Sequence, residues 1–154
     1  MRIGIATQPL TSNYGGILQN YALQTVLKRM GHEVWTMDYN KFTWLDWLDN
    51  AWRVIAHKLL GHDVRFSKTP PARQAMERPL RRFALKNISL TVPRTKYVER
   101  RIAKKYGFEA IVVGSDQVWR PQYNRQIDRM FLSFCQDMDI RRIAYAASFG
   151  TNEW

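Results

Sequence analysis

Arg2-Ile3-Gly4-Ile5-Ala6-Thr7, then Ser12-Asn13-Tyr14-Gly15-Gly16, then Glu33-Val34-Trp35-Thr36-Met37-Asp38-Tyr39 are the three stretches that decide the fold. The first is apolar without strict alternation, which suits a central strand. The glycine turn opens a run in which Leu18, Ala22, Leu23, Val26, Leu27 and Met30 fall on one broad face at helical spacing. Gly31 stands where a helix C-cap is expected. The third stretch reads as a second strand. Strand, glycine turn, helix, glycine and strand make a βαβ unit, with a right-handed connection and a parallel sheet.

The same pattern resumes further along. Ala110-Ile111-Val112-Val113 reads as a buried strand ending at Gly114, and Arg142-Ile143-Ala144-Tyr145-Ala146-Ala147 as another, ending in Ser148-Phe149-Gly150. Arg120 to Gln136 is loop-like, with an aromatic patch at Phe131 and Phe134. In the middle, Trp44, Leu48, Trp52, Ile55 and Leu59 recur at helical spacing until Gly61. A basic connection follows over Arg65 to Pro71. Arg73 to Asn87 reads as a helix that Pro79 should break or kink, and Tyr97 to Tyr106 as a basic helix ended by Gly107. The expectation is an α/β open parallel sheet in a single domain over residues 1–154, with a helical insert at about 43–106. The chain stops four residues after Gly150, where the next helix is expected, which suggests half of a larger architecture.

Composition narrows the class. The 154 residues are 45% hydrophobic and 13% aromatic, enough to bury a core and too apolar for a disordered or collagen-like chain. A single cysteine excludes an internal disulfide framework. No stretch reads as a signal peptide or a membrane span, so the expected setting is cytoplasmic. The net charge is +11, and it is concentrated: Arg53 to Lys105 holds 15 basic and 3 acidic residues, a surplus of +12 (15 − 3). Two readings compete for that segment. One is a solvated helical surface; the other is a docking surface for an anionic partner, such as the inner face of a membrane.

Ligands of open α/β sheets bind beyond the carboxyl ends of the strands. Three polar, glycine-bearing segments fall there: Asn13 to Gly16, Gly114 to Trp119, and Ser148 to Gly150. In the first, Tyr14, Gly15 and Gly16 at a helix N-terminus offer backbone N–H groups to phosphate or carboxylate; equally, Asn13 caps an ordinary helix. Gln19 sits in the expected apolar face, where an amide needs a partner. In the second, Gly114 permits close approach, Ser115 and Gln117 can bond hydroxyls, Asp116 can orient one or accept a proton, and Trp119 offers a face to a sugar ring. The competing reading is an Asx-type turn with Trp119 as a lid on the core. There is no Gly-x-Gly-x-x-Gly or Walker pattern. His32, His57 and His62 lack metal-ligand spacing, and Cys135 lacks the nearby base of a nucleophile. The Trp44–Trp52 stripe suits a core, while Trp47 lies off it and suits an outside contact.

At these residues the sequence resembles the polysaccharide pyruvyl transferase family. One block runs from Asn13-Tyr14-Gly15-Gly16-Ile17-Leu18-Gln19-Asn20-Tyr21-Ala22-Leu23-Gln24 to Gly31-His32-Glu33-Val34 and Asp38-Tyr39. The other is Ala110-Ile111-Val112-Val113-Gly114-Ser115-Asp116-Gln117-Val118-Trp119, then Phe131 to Phe134 and Ile143 to Gly150. Together they cover about half of the chain. The resemblance implies a Rossmann-like half of a two-domain fold similar to the B-type glycosyltransferases, with the site in the cleft between halves. It implies transfer of an enolpyruvyl group from phosphoenolpyruvate, a co-substrate, to a sugar of a cell-surface polysaccharide, with no further cofactor. It places Asn13 to Gly16, Gln19 and Gly114 to Trp119 on the acceptor side of the cleft. The family's cationic and acidic catalytic groups lie mainly in the C-terminal half, so no catalytic residue is carried over, and the chain alone is expected to be inactive without that half or a second copy. The alternative is a non-catalytic module that binds glycan or nucleotide-sugar. A nucleic-acid role ranks third, since the basic residues lack interleaved aromatics.

Overall fold

Four strands pair in parallel in the computed structural model, which describes residues 1–11, 13–38, 70–91, 99–122 and 127–151. They are β1 (Arg2–Ala6), β2 (Glu33–Thr36), β3 (Ala110–Asp116) and β4 (Arg141–Ala147), in the spatial order β2-β1-β3-β4. Ile5 lies beside Thr36 on one flank and Val112 on the other, and Ala6 lies beside Val113. Alternation then sorts the side chains. Ile3, Ile5, Val34, Ala110 and Val112 face one side of the sheet, while Ala6, Ile111 and Val113 face the other. The α/β open sheet expected from the sequence is therefore present.

Helix α1 (Tyr14–Arg29) covers the first side. Asn13 caps it by accepting the Gly16 N–H at 3.1 Å, and Gly31, at φ +85°, follows its end. Its rotation corrects the sequence reading. Ile17, Asn20, Leu23 and Gln24 are buried, whereas Leu18, Val26 and Met30 are exposed. Two buried amides decide this. The Thr36 hydroxyl accepts from Gln24 Nε2 at 3.1 Å and pairs with the Asn20 amide at 2.9 and 3.1 Å. Gln24 also bonds the Ser89 backbone in both directions. Polar side chains satisfied in this way can be buried ahead of apolar ones.

Helix α2 (Pro70–Asn87) packs beside α1 through Leu10, Ile17, Ala84 and Ile88, with Tyr21 edge-on to Phe83 at 5.7 Å. It continues through Pro79 rather than breaking there. After it, Leu90 bridges Thr36 in parallel, an extended residue inside the segment expected to be helical. Helix α3 (Glu99–Tyr106) lies on the opposite side of the sheet, where Ile102 and Ala103 meet Ile111, Val113 and Cys135. Between β3 and β4 the described residues form two 3₁₀ turns, Ile127–Phe131 and Ser133–Cys135, that send Met130 and Cys135 into this core. The expectation of a buried strand at Arg142 to Ala147 is corrected: β4 is an edge strand, and Arg141 to Ala146 are exposed. The Trp44-to-Leu59 stripe, Trp47, His57, His62 and most of the basic connection before α2 lie outside the described residues.

Candidate functional site: a crevice at the carboxyl edge of the sheet

The crevice follows from strand order. β1 leads through α1 to β2 on one flank, while β3, beside β1, leads to β4 on the other. The chain thus reverses direction between β1 and β3, and at such a switch point the two outgoing loops diverge and leave a gap. Thr7 follows Ala6 and Gly114 follows Val113, and Ala6 and Val113 are register partners. The two glycine-bearing segments singled out in the sequence therefore rise from adjacent strands.

On the β1 side, Thr7 and Thr11 are buried, and Gln8 holds a buried Nε2 without a hydrogen-bond partner. Asn13 is exposed and Tyr14 is 70% exposed; Gly15 and Gly16 are half-buried and close over the Asn13 side chain. Gln19 is exposed, which corrects its expected place in the buried face. It lines a groove of about 580 Å³ that runs along the sheet face from Met1, His32 and Arg141 at the amino end to Ser115 of β3 and Tyr145 of β4, over an apolar floor that includes Ile3 and Val112. Gln19 and Ser115, the polar members of two separate motif blocks, share this groove.

On the β3 side, Gly114 has φ +124°, and the Tyr145 carbonyl oxygen occupies the space that a Cβ would need. Asp116 turns inward: its Oδ1 accepts the Gln117 N–H at 2.7 Å, and its carbonyl accepts from Val118 at 2.7 Å and Ser148 at 3.1 Å. The Trp119 N–H donates to the Ser148 carbonyl at 3.1 Å, so the loops after β3 and β4 form one stitched unit. The Trp119 indole N–H donates to the Met130 carbonyl at 2.9 Å. Its ring stacks on Phe131 at 5.2 Å and tilts against Phe149, leaving Phe131, 44% exposed, as an outward-facing ring. These contacts favour the lid reading of Trp119 over a sugar platform. Gln117 accepts from Arg120 Nη1 at 2.7 Å. Arg120 escaped the sequence reading, although it follows Trp119 directly.

Elsewhere two ion pairs and one buried thiol stand out. Asp38, at the carboxyl end of β2, is held by both Nη atoms of Arg81. Arg100 pairs with Asp137 at 2.6 and 2.8 Å; this pairing draws the Asp137 carboxyl below its ordinary range and pushes the Arg100 guanidinium up. Burial pushes the Cys135 thiol up, against the opposing pull of Arg142, and the thiol donates to the Leu132 carbonyl at 3.3 Å. That is a packing role rather than a nucleophile's. Of the two basic helices, α2 packs beside α1 and α3 packs against the opposite face of the sheet. Among the described residues, no helix is long and apolar enough to cross a membrane, and no group of three His, Cys, Asp or Glu is placed to hold a metal.

No family model matches the chain, and neither a curated protein nor a solved structure does.

Proposed function

We propose that this chain is one wall of the substrate crevice of a polysaccharide pyruvyl transferase-like protein, a Rossmann-like half similar to one half of the B-type glycosyltransferases. The reaction joins the central carbon of phosphoenolpyruvate to two hydroxyls of one sugar of a cell-surface polysaccharide, the methylene carbon taking up a proton and inorganic phosphate leaving, so that a pyruvate ketal is closed. The supporting observation is the adjacency of β1 and β3, which brings both motif blocks to one rim and sets Gln19 and Ser115 on one groove. On this reading Asn13 to Gly16, Gln19 and Ser115 face the acceptor, while Gly114, Asp116, Gln117 and Trp119 hold the shape of the wall.

Group transfer needs water excluded and two reactants aligned, and a single wall with Tyr14 and Gln19 exposed does neither. The purified chain therefore binds ligand without turning it over. Calorimetric titration should show binding of phosphoenolpyruvate or of a sugar acceptor, weakened at least roughly 5-fold by Gln19→Ala with Ser115→Ala, since each lost hydrogen bond is worth about 1 kcal/mol. Binding of a nucleotide-sugar alone would favour the non-catalytic module. Steady phosphate release by the chain alone, or affinity indifferent to both substitutions, contradicts the proposal.

A further inference from the structure

The sheet ends differently at its two edges. Beside β2, Thr36 donates its N–H to the Ser89 carbonyl and its own carbonyl accepts from Thr91, so a passing segment caps the carboxyl end of that edge. β4 is the last strand at the other edge. Arg141 donates its N–H inward to the Glu109 carbonyl at 3.0 Å. Alternation then turns the backbone groups of Ile143 and Tyr145 toward β3, and those of Arg142 and Ala144 outward. The side chains of Arg141, Ile143 and Tyr145 line the apolar groove, with Ile143 and Tyr145 exposed. The edge is regular as far as Tyr145, since Ala146 takes φ +47°. Over Arg141 to Tyr145 it carries no proline, and both of its charges stand at the start. Such an edge is open to a further strand.

We propose that β4 pairs with β4 of a second copy of this chain, antiparallel about a two-fold axis at Ile143. The edge is complementary to itself in that register. Arg142 of each copy lies opposite Ala144 of the other, and the two exchange both outward N–H···O bonds. Ile143 meets Ile143, and Arg141 lies across from the second copy's Tyr145, a cation beside a ring and not beside another arginine. Both grooves then fall on one face and join into a single apolar trough. Since the β2 edge is capped, the contact closes as a dimer. It rests on strand order and not on the pyruvyl transfer reading, and the two stand or fall separately. Sedimentation velocity of the chain should show reversible, concentration-dependent dimerisation. Each copy carries +11, so raising salt from about 0.01 M to about 0.15 M should tighten it at least roughly 5-fold. Ala144→Pro removes an outward N–H that the sheet does not use, and Ile143→Glu sets two carboxylates on the axis. Each should weaken the dimer at least roughly 10-fold with unchanged circular dichroism. Ile143→Cys gives a positive readout, because opposed residues of a non-hydrogen-bonded pair lie about 4.5 Å apart at Cα, within disulfide reach. With oxidised glutathione taking the two electrons of each bridge, this variant should cross-link at least roughly 10-fold faster than Leu85→Cys, an exposed position on α2, while the native Cys135 is buried. A chain monomeric at both salt concentrations leaves the edge to another polypeptide and overturns the proposal. So does a dimer that survives either substitution unweakened, or cross-linking no faster at position 143 than at 85.

Discussion

At Gly114 two demands coincide: a φ of +124°, which side chains rarely adopt, and the Tyr145 carbonyl in the space of a Cβ. Either alone is costly, and alanine cannot relieve one without moving β4 through the other. Gly114→Ala should therefore lower stability by roughly 2–4 kcal/mol, the range for backbone strain combined with overpacking. Urea unfolding followed by circular dichroism checks this, and a loss below about 0.5 kcal/mol would mean that β3 and β4 are less closely apposed. The sequence flagged Gly114 as a place of close approach but could not say what approaches, because the neighbour is backbone from a strand about thirty residues away. The same blindness placed Gln19 in the buried face. One helix carries Gln19, Asn20 and Gln24, and only the partners, Thr36 and Ser89, select which amides go inside.

Elements show which pairings hold the sheet's far flank. β2 has only four residues, and α2 secures its end through Arg81, whose guanidinium grips Asp38, a residue 2% exposed. A carboxylate so deeply placed depends on charged hydrogen bonds to offset its desolvation. Arg81→Met should destabilise by roughly 3 kcal/mol, and adding Asp38→Asn should recover much of that loss, because breaking a buried pair costs more than replacing both members. Thermal unfolding of the single and double variants measures the coupling; additive losses would show that the two groups act independently. The βαβ unit was readable because a change of period from strand to helix, bounded by glycines, is written locally. Edge position is not. Ile143 to Ala147 is as apolar as a central strand, and its exposure depends on which strands lie beyond it.

Across the whole molecule, the two sides of the sheet are unequally covered. On one side α3 and the 3₁₀ turns close over Ile111 and Val113. On the other, α1 packs over β1, β2 and β3, while among the described residues the floor beside β4 is an apolar groove with Val26 53%, Met30 65% and Ile143 42% exposed along it. Arg141 and His32 also line this groove, so apolar walls and a cation adjoin. Such a surface should take up an aromatic sulfonate dye such as anilinonaphthalene sulfonate in the native state, the rings replacing water over the floor and the sulfonate near Arg141. Val26→Glu with Ile143→Glu places two carboxylates on exposed positions, so the fold should persist while dye fluorescence falls at least 5-fold, each like-charge contact and each wetted wall contributing about 1 kcal/mol. Saturable fluorescence in the parent chain that disappears in the double variant, with matching circular dichroism, is the expected result. Fluorescence unchanged by the substitutions would place the dye elsewhere and remove this groove as its binding surface.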